Sequence, residues 1–367
     1  MLISKIELFH LRMPLKFIFK TAQTILNHRE TIVIKSTDEL GNAGFGEVVA
    51  FNEPFYTKET LADAGSVLVN HFIPLLMEQE IKHPFEVHRW LDSAYPMAVA
   101  GLENALLDLF ARRQQQPIID TVFSEKTNEE ICAGIVLGDL EVTSLINQIA
   151  EYSQEGYTRF KIKIKPEDGF VKLKRIREKY PHLRLLADAN KSFKKEHISE
   201  LKKIDELGLL CLEEPLASGA MSDYQNIQEK MTTPICLDES IQTMEDFRYA
   251  IKLNACRVVN IKVGRLGGMY YVKQMIELCR RQGILFWIGS MMESGISKTL
   301  HVHLAGLKDN YIPGDLSPSG RYFDQDVIRP EITAYNGLIQ VPQGPGLGVE
   351  IDEEALKYYT VNYTVFR

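Results

Sequence analysis

Five charged residues recur at nearly equal intervals through the middle of this chain, and each stands at the end of a short apolar run. Lys163, Asp188, Glu213, Asp238 and Lys262 are separated by 25, 25, 25 and 24 residues. Apolar runs of this length, separated by amphipathic stretches, are typical of β-strands that alternate with helices. A strand-helix unit repeated with this period aims its strand ends at one edge of a parallel sheet, so we expect the five side chains to converge.

The pattern of apolar residues divides the chain into three parts. Residues 1–125 contain two alternating stretches, 2–10 and 31–36, and a helical pattern at 101–113, which together predict an α+β domain. Residues 126–330 carry seven clear apolar runs and a weak eighth, which predict an α/β fold with a (β/α)8-type barrel. The runs lie at 131–137, 160–164, 183–187, 209–212, 235–237, 258–261, 285–288 and, weakly, 311–313. Residues 331–367 add no further unit, and we expect this segment to return to the first domain.

Charge, hydropathy and cysteine usage exclude several classes of protein. The formal net charge is −7 and no basic stripe is present, so we expect no nucleic-acid partner. No window approaches the roughly 18 apolar residues that a membrane span needs, so we expect no membrane partner. The five cysteines form no Cys-x-x-Cys pair and no signal segment opens the chain, which favours free thiols in the cytoplasm.

Three of the recurring residues are carboxylates that predict a metal site. Asp188, Glu213 and Asp238 end three successive runs, and three like charges at close range repel unless a cation neutralises them. Ligation by oxygen alone suits Mg²⁺, with Mn²⁺ as an alternative ion. In the competing interpretation each acid caps the following helix or pairs with a surface lysine. Neighbouring strand residues point to opposite faces, so we favour these ligands over the adjacent Glu214 and Glu239.

The lysines predict a proton-transfer site beside the metal. Lys161 and Lys163 share one face of their strand, and the isoleucine between them lies on the other face, so we expect both lysines to point into the barrel. Burying a charged lysine costs free energy, so two buried lysines suggest a functional role. Lys163 is nearer the rim of the barrel than Lys161, so we expect Lys163 to be the residue that transfers the proton. Lys262 belongs to the sixth run, across the barrel, so the two lysines can face opposite sides of one substrate carbon. A solvated edge strand for the first pair, and a pairing of Lys262 with a nearby carboxylate, are the competing interpretations. Asn190 is expected either to contact a ligand or to cap a helix.

This set of residues resembles the enolase superfamily, in its muconate lactonizing enzyme subgroup. The resemblance covers nearly the whole chain, and its closest features are those of the o-succinylbenzoate synthase and N-succinylamino acid racemase family. The similar stretches are Gly156-Tyr-Thr-Arg-Phe-Lys-Ile-Lys, Thr233-Pro-Ile-Cys-Leu-Asp-Glu-Ser, Asn260-Ile-Lys-Val-Gly-Arg-Leu-Gly-Gly, Met292-Glu-Ser-Gly and Pro313-Gly-Asp. The resemblance implies an enolase-like, modified TIM barrel with an N-terminal capping domain.

The resemblance also implies a mechanism. A magnesium-dependent lyase of this kind dehydrates a cyclohexadiene carboxylate in menaquinone biosynthesis, with syn-type loss of water through an enediolate. Lys163 would remove the α-proton and return it as general acid, and Lys262 would stabilise the intermediate from the other face. In the alternative activity, N-succinylamino acid racemisation, Lys262 would instead reprotonate the carbon. Arg265 matches an arginine of the subfamily that includes racemases, which keeps either or both activities open, and Lys161 is expected to support the base.

Substrate recognition is expected to come from the capping domain and from the later strand ends. The aromatic segments 17–22 and 51–56 resemble the family's specificity loops, and the residues expected to contact substrate are Phe19, Phe51, Tyr56, Glu293 and Asp315. The stretch Gly134-Ile-Val-Leu-Gly lacks the serine that some relatives use for a succinyl group, so the substrate is less defined than the chemistry. Asp315-Leu-Ser departs from the Asp-x-Asp of dipeptide epimerases. We expect a small carboxylate substrate and a homo-oligomer.

Overall fold

An antiparallel sheet forms the first domain. The structure is a computed structural model that describes residues 1–20 and 25–367, with only the backbone of residues 19 and 20. The sheet has the order β15-β1-β2-β3, so the last strand of the chain pairs with the first, with Glu7 opposite Val365. Its strands are β1 (Ile3–Lys20), β2 (Ile25–Asp38), β3 (Ala43–Val48) and β15 (Thr360–Phe366).

A long helix packs directly against this sheet. This helix, α3 (Pro96–Arg113), is buried over most of its circumference, because β3 covers one side and the second domain covers another. A Cβ on Gly44 would overlap the backbone nitrogen of Leu109, and one on Gly46 would overlap the carbonyl oxygen of Gly101. These two glycines therefore permit backbone-to-backbone packing of β3 on α3. Gly41, at a φ of 86°, lies instead in the turn before β3.

The second domain is built on a parallel sheet of seven strands in sequential order, β5 to β11. This confirms the predicted parallel βαβ architecture. Most strand residues are buried because side chains of both faces are covered, one face by helices and the other by the barrel interior. The strands are β5 (Gly134–Leu137), β6 (Arg159–Lys163), β7 (Arg184–Asp188), β8 (Leu212–Glu213), β9 (Ile235–Leu237), β10 (Val258–Ile261) and β11 (Leu285–Ile288), and β4 (Glu130–Cys132) precedes them.

The predicted eighth run does not form a strand. Isolated backbone bonds join it to the sheet: Tyr311 donates to the carbonyl of Phe286 at 2.8 Å, and Gly134 donates to the carbonyl of Gly314 at 3.0 Å. This irregular segment therefore lies between β11 and β5, the two edges of the parallel sheet. The chain is too polar and too rich in glycine and proline here to sustain a ladder.

Helices follow the strands, as predicted, and their N-termini are capped in several cases. The Thr243 side chain accepts from the backbone N–H of Asp246 while the Asp246 carboxylate accepts from the backbone N–H of Thr243, a capping box that begins α9 (Met244–Lys252). The helices of the first domain are α1 (Leu61–Val67), α2 (Ile73–Met77), α3 and α4 (Ile118–Phe123). Those of the second are α5 (Val142–Gln154), α6 (Gly169–Lys179), α7 (Ile198–Asp205), α8 (Met221–Gln228), α9 (Met244–Lys252), α10 (Val263–Leu266), α11 (Met269–Gln282) and α12 (Gly295–Ala305).

The last part of the chain adds short strands and one helix. In the order of the chain these are β12 (Ile328–Arg329), β13 (Leu338–Gln340), β14 (Glu350–Ile351) and α13 (Glu353–Tyr359), before β15. β13 pairs with β4, and β12 pairs with β14. Among the residues described here, no helix is both long and apolar enough to cross a membrane. The domain limits at 125 and 330 stay predictions.

Candidate active site

Five neighbouring strands each contribute one of the recurring charged residues. Lys163 and Asp188 are paired in register across β6 and β7, and Asp188 and Glu213 across β7 and β8. Asp238 follows β9 and Lys262 follows β10. These five side chains form a row in the order of their strands, and an ion pair lies at each end of the row. The distance is 2.6 Å between Lys163 Nζ and Asp188 Oδ2 and 3.0 Å between Lys262 Nζ and Asp238 Oδ2. The lysines therefore flank the carboxylates, in the order of the strands.

Lys161 lies one layer deeper and joins the carboxylates from below. Its Nζ is 2.8 Å from Asp188 Oδ2, 2.7 Å from Glu213 Oε2 and 3.0 Å from Asp315 Oδ2. Burial alone would lower the pKa of Lys161, but the surrounding carboxylates hold it well above its ordinary value. Arg159, on the same face of β6, pairs with Asp315 at 2.6 Å. The sequence interpretation missed Arg159, although its position two residues before Lys161 places it on the same strand face.

The central carboxylate is the least neutralised of the three. Burial and the nearby charge of Asp188 raise the pKa of Glu213 well above its ordinary range. Among the described residues, Glu213 Oε2 is buried and has no hydrogen-bond partner, although the Lys161 ammonium lies within ion-pair distance. Over the described part of the chain, no three Asp, Glu, His or Cys side chains already enclose a metal position. The donor chemistry nevertheless fits a hard cation, since three carboxylates lie on adjacent strands and Glu213 Oε2 accepts no hydrogen bond from the described residues.

Asp238 is held by cations and by a residue of the first domain. Although burial opposes ionisation, the charges of Lys262 and Arg265 hold the pKa of Asp238 far below its ordinary value. Arg265 Nη1 donates to Asp238 Oδ1, and the Tyr56 hydroxyl lies 3.2 Å from the same oxygen. The ring of Tyr56 lies 4.7 Å from Lys262 Nζ, and burial raises the pKa of the Tyr56 hydroxyl. Tyr56 thus reaches the end of β9 and contacts the lysine that follows β10.

Asn190 bonds to the site and does not cap a helix. Its Oδ1 accepts from Lys163 Nζ at 2.6 Å, and its Nδ2 donates to Glu239 Oε1 at 2.8 Å. Glu214 is occupied elsewhere, since its carboxylate accepts from the backbone of Asp238 at 2.8 Å and of Ser240 at 2.6 Å. The sequence interpretation weighed Glu239 only as a metal ligand, so its contact with Asn190 was missed.

The expected substrate contacts have different surroundings. The side chains of Phe19 and Lys20, and the whole of residues 21–22, lie outside the described residues. Phe51 is buried beneath Arg29, whose guanidinium lies 4.4 Å from the ring centre. Glu293 is buried as well, and it accepts from Met291 and, at 3.0 Å, pairs with His301. These residues, like Asp315, stay predictions as substrate contacts.

Comparison with known proteins identifies the family. Residues 144–355 match the family model described as enolase C-terminal domain-like. The chain is 38% identical to the o-succinylbenzoate synthase of Bacillus subtilis over 366 residues, which covers 99% of this chain and 98% of that protein. It is 36% identical to the N-succinylamino acid racemase of Thermus thermophilus, with 96% and 95% covered.

Solved structures agree with this assignment. A member of the enolase superfamily from Listeria innocua superposes with a TM-score of 0.95 at 32% identity and covers 100% of this chain and 99% of its own. The muconate lactonizing enzyme of Pseudomonas fluorescens, at 19% identity with 98% and 99% covered, shares the fold with a TM-score of 0.90. The chain is therefore an enzyme of the enolase superfamily and belongs to the enolase C-terminal domain-like family.

Proposed function

We propose that this enzyme is a magnesium-dependent carbon-oxygen lyase, an o-succinylbenzoate synthase. The observation that carries the proposal is the row of side chains on five consecutive strands, in which Lys163 and Lys262 flank three carboxylates. Relatives named o-succinylbenzoate synthase, at 35–38% identity over nearly their full length, support the choice of reaction.

The carboxylates would hold the metal. Asp188, Glu213 and Asp238 would bind Mg²⁺, and the ion would supply positive charge that stabilises the substrate carboxylate as its α-proton is lost. Lys161 is buried and forms ion pairs with Asp188 and Glu213, so its ammonium adds fixed positive charge beneath the same position.

The two lysines then divide the proton transfers. As a neutral amine, Lys163 takes the proton α to the substrate carboxylate, and the resulting ammonium gives that proton to the hydroxyl that leaves the neighbouring carbon as water. The ring gains the double bond that makes it aromatic. Lys262 remains an ammonium, because Asp238 holds its pKa above the ordinary value despite burial, and it stabilises negative charge from the opposite flank.

A racemase activity is the second candidate, and the placement of the two lysines favours it. Because they stand at opposite ends of the carboxylate row, each can exchange a proton with one face of the same carbon. The relatives from Thermus thermophilus and from Amycolatopsis that are named N-succinylamino acid racemase support this candidate. One enzyme can carry both activities, since both begin with removal of an α-proton.

To test the two candidates, one preparation of the enzyme is assayed with the substrate of each reaction. Formation of o-succinylbenzoate from the hydroxycyclohexadiene carboxylate is followed by absorbance, and exchange of the α-hydrogen of N-succinylamino acids with deuterium is followed by NMR. We expect the rate of dehydration to fall about 10²–10⁴-fold in Lys163→Met, which is the usual contribution of a general acid-base group to the rate. Exchange without dehydration would favour the racemase, and a protein that performs neither reaction would contradict the proposal.

A further inference from the structure

The Asn190 amide is bonded at both ends, and its two partners lie on different strands. Its oxygen accepts from Lys163 Nζ at 2.6 Å, and its nitrogen donates to Glu239 Oε1 at 2.8 Å. The backbone of Asn190 is also fixed, with a φ of 41° and an N–H bond to Asp188 Oδ1 of 3.0 Å. The side chain is therefore a connector between Glu239 and the lysine that would act as base.

The chemistry of the two partners determines which way this amide faces. A protonated Lys163 has only donors, so it requires the amide oxygen. The Asn190 nitrogen has only donors, so it requires an acceptor such as Glu239 Oε1. Both contacts favour the same orientation, and neither survives if the amide turns over.

That orientation matters most when Lys163 is neutral. A neutral amine has two N–H groups and one lone pair, and Asp188 and Asn190 offer one acceptor to each N–H at 2.6 Å. The lone pair is then free to receive the substrate proton. If the Asn190 amide were reversed, its NH₂ group would donate to that lone pair and compete with the substrate.

We propose that Glu239 is a positioning residue for Lys163, which it serves by holding the Asn190 amide with its oxygen toward the lysine. The proposal rests on the proposed function, since it assigns Lys163 the role of base. Lys262 has a different set of partners, Asp238 and the Tyr56 ring. Loss of Glu239 should therefore impair proton transfer on the Lys163 side and spare the Lys262 side.

Deuterium exchange, measured separately for the two enantiomers of an N-succinylamino acid, reports proton transfer by Lys163 and by Lys262 independently. Lys163→Met first identifies the enantiomer whose exchange depends on Lys163. In Glu239→Gln, exchange from that enantiomer should fall about tenfold, the size expected for one hydrogen bond to a charged group. Exchange from the other enantiomer should change less than about twofold. Equal losses from both enantiomers would overturn the proposal.

A double-mutant cycle separates positioning from the simple loss of a negative charge. If Glu239 acts through Asn190, then Glu239→Gln should have no added effect in an Asn190→Ala background. The same loss in both backgrounds would show that Glu239 acts directly and would overturn the proposal. Glu245→Gln is the matched control, because this exposed glutamate pairs only with Arg248 in the described structure, and both exchange rates should be unchanged.

A spectroscopic measurement keeps the proposal testable if the protein does not exchange either enantiomer. The side-chain amide signals of Asn190 are those missing from the ¹H–¹⁵N spectrum of Asn190→Ala. They should shift in Glu239→Gln and stay in place in Glu245→Gln. Absent exchange in the wild-type protein would end the racemase candidate alone, whereas unshifted Asn190 signals would end the positioning proposal.

Discussion

Glu47, near the end of β3, accepts a hydrogen bond of 2.8 Å from the hydroxyl of Ser294, the residue that precedes α12. The same carboxylate accepts from the backbone N–H groups of Ser294 at 3.0 Å and Ser297 at 3.1 Å. One buried side chain of the first domain thus satisfies the N-terminus of a helix of the second domain, where negative charge is favoured by the helix dipole.

Replacing Glu47 by glutamine should destabilise the fold. An amide has one acceptor where the carboxylate has two, so buried donors at the start of α12 lose a partner, at a cost of about 2 kcal/mol. Urea denaturation followed by circular dichroism measures the change in the free energy of unfolding. Glu353→Gln is the control, since its pair with Lys35 is exposed and should be worth under about 1 kcal/mol. Equal effects of the two substitutions would contradict the assigned role of Glu47.

Removal of divalent cations should abolish turnover. After treatment with a chelator, we expect activity to return on titration with Mg²⁺, and also with Mn²⁺, because both accept carboxylate oxygens. Glu213→Gln should need at least about tenfold more Mg²⁺ for half-maximal activity. Loss of a metal ligand should weaken metal affinity at least as much as loss of a residue that hydrogen-bonds to a ligand. Asp309→Asn, at an exposed pair with Arg280, should keep the wild-type requirement. Full activity in the chelated enzyme would refute the proposed metal site.

His303 should make the protein less stable in acid. It is fully buried, its Nε2 donates to the carbonyl of Leu347 at 2.9 Å, and burial lowers its pKa to about 4 from 6.5. Between pH 6.5 and 4 the unfolded chain therefore binds more protons than the native protein, so stability falls as the pH falls through this window. The loss between pH 6.5 and 5 should be about 2 kcal/mol.

Urea denaturation at several pH values checks this dependence. His303→Gln should remove that component of the pH dependence, while the exposed His71→Gln should retain it. If the two variants show the same slope of unfolding free energy against pH, His303 is not the group responsible.

One thiol of the five should react in the native protein. Cys132 is exposed on β4, whereas Cys211, Cys236, Cys256 and Cys279 are buried. Burial raises the pKa of Cys256 to about 12, which disfavours the reactive thiolate. In the native protein, about one thiol per chain should react rapidly with an aromatic disulfide reagent, and no thiol should do so in Cys132→Ser. The four buried thiols should react only after the protein is unfolded. Rapid reaction of several thiols would contradict the placement of these cysteines.

Much of the architecture could be predicted because the charged residues of the candidate site stand at the ends of strands. The spacing of Lys163, Asp188, Glu213 and Asp238 encodes the length of each strand-helix unit, and the register of the parallel sheet then brings the side chains together. The alternation on β6 likewise places Lys161 inside. Periodicity of this kind is a local property of the sequence.

The missed features are contacts between distant segments, which periodicity does not report. The bond between Asn190 and Glu239 joins residues 49 positions apart, and that between Tyr56 and Asp238 joins residues 182 positions apart. Single backbone bonds join the irregular segment that begins at Tyr311 to neighbouring strands. Packing decides each of these, so no pattern in either segment alone identifies the partner.

The contact between Tyr56 and Asp238 has a consequence for how such an enzyme can change over time. The lysines and carboxylates of the proposed site stand at the ends of short strands, where most substitutions would disturb neighbouring strands. The loop that carries Tyr56 follows β3 of the separate antiparallel sheet, and Tyr56 contacts both Asp238 and Lys262. Under the proposed function, we therefore predict that substitutions in that loop would alter which molecule is accepted while the proposed proton-transfer groups stay intact, so a lineage could change substrate sooner than it changes reaction.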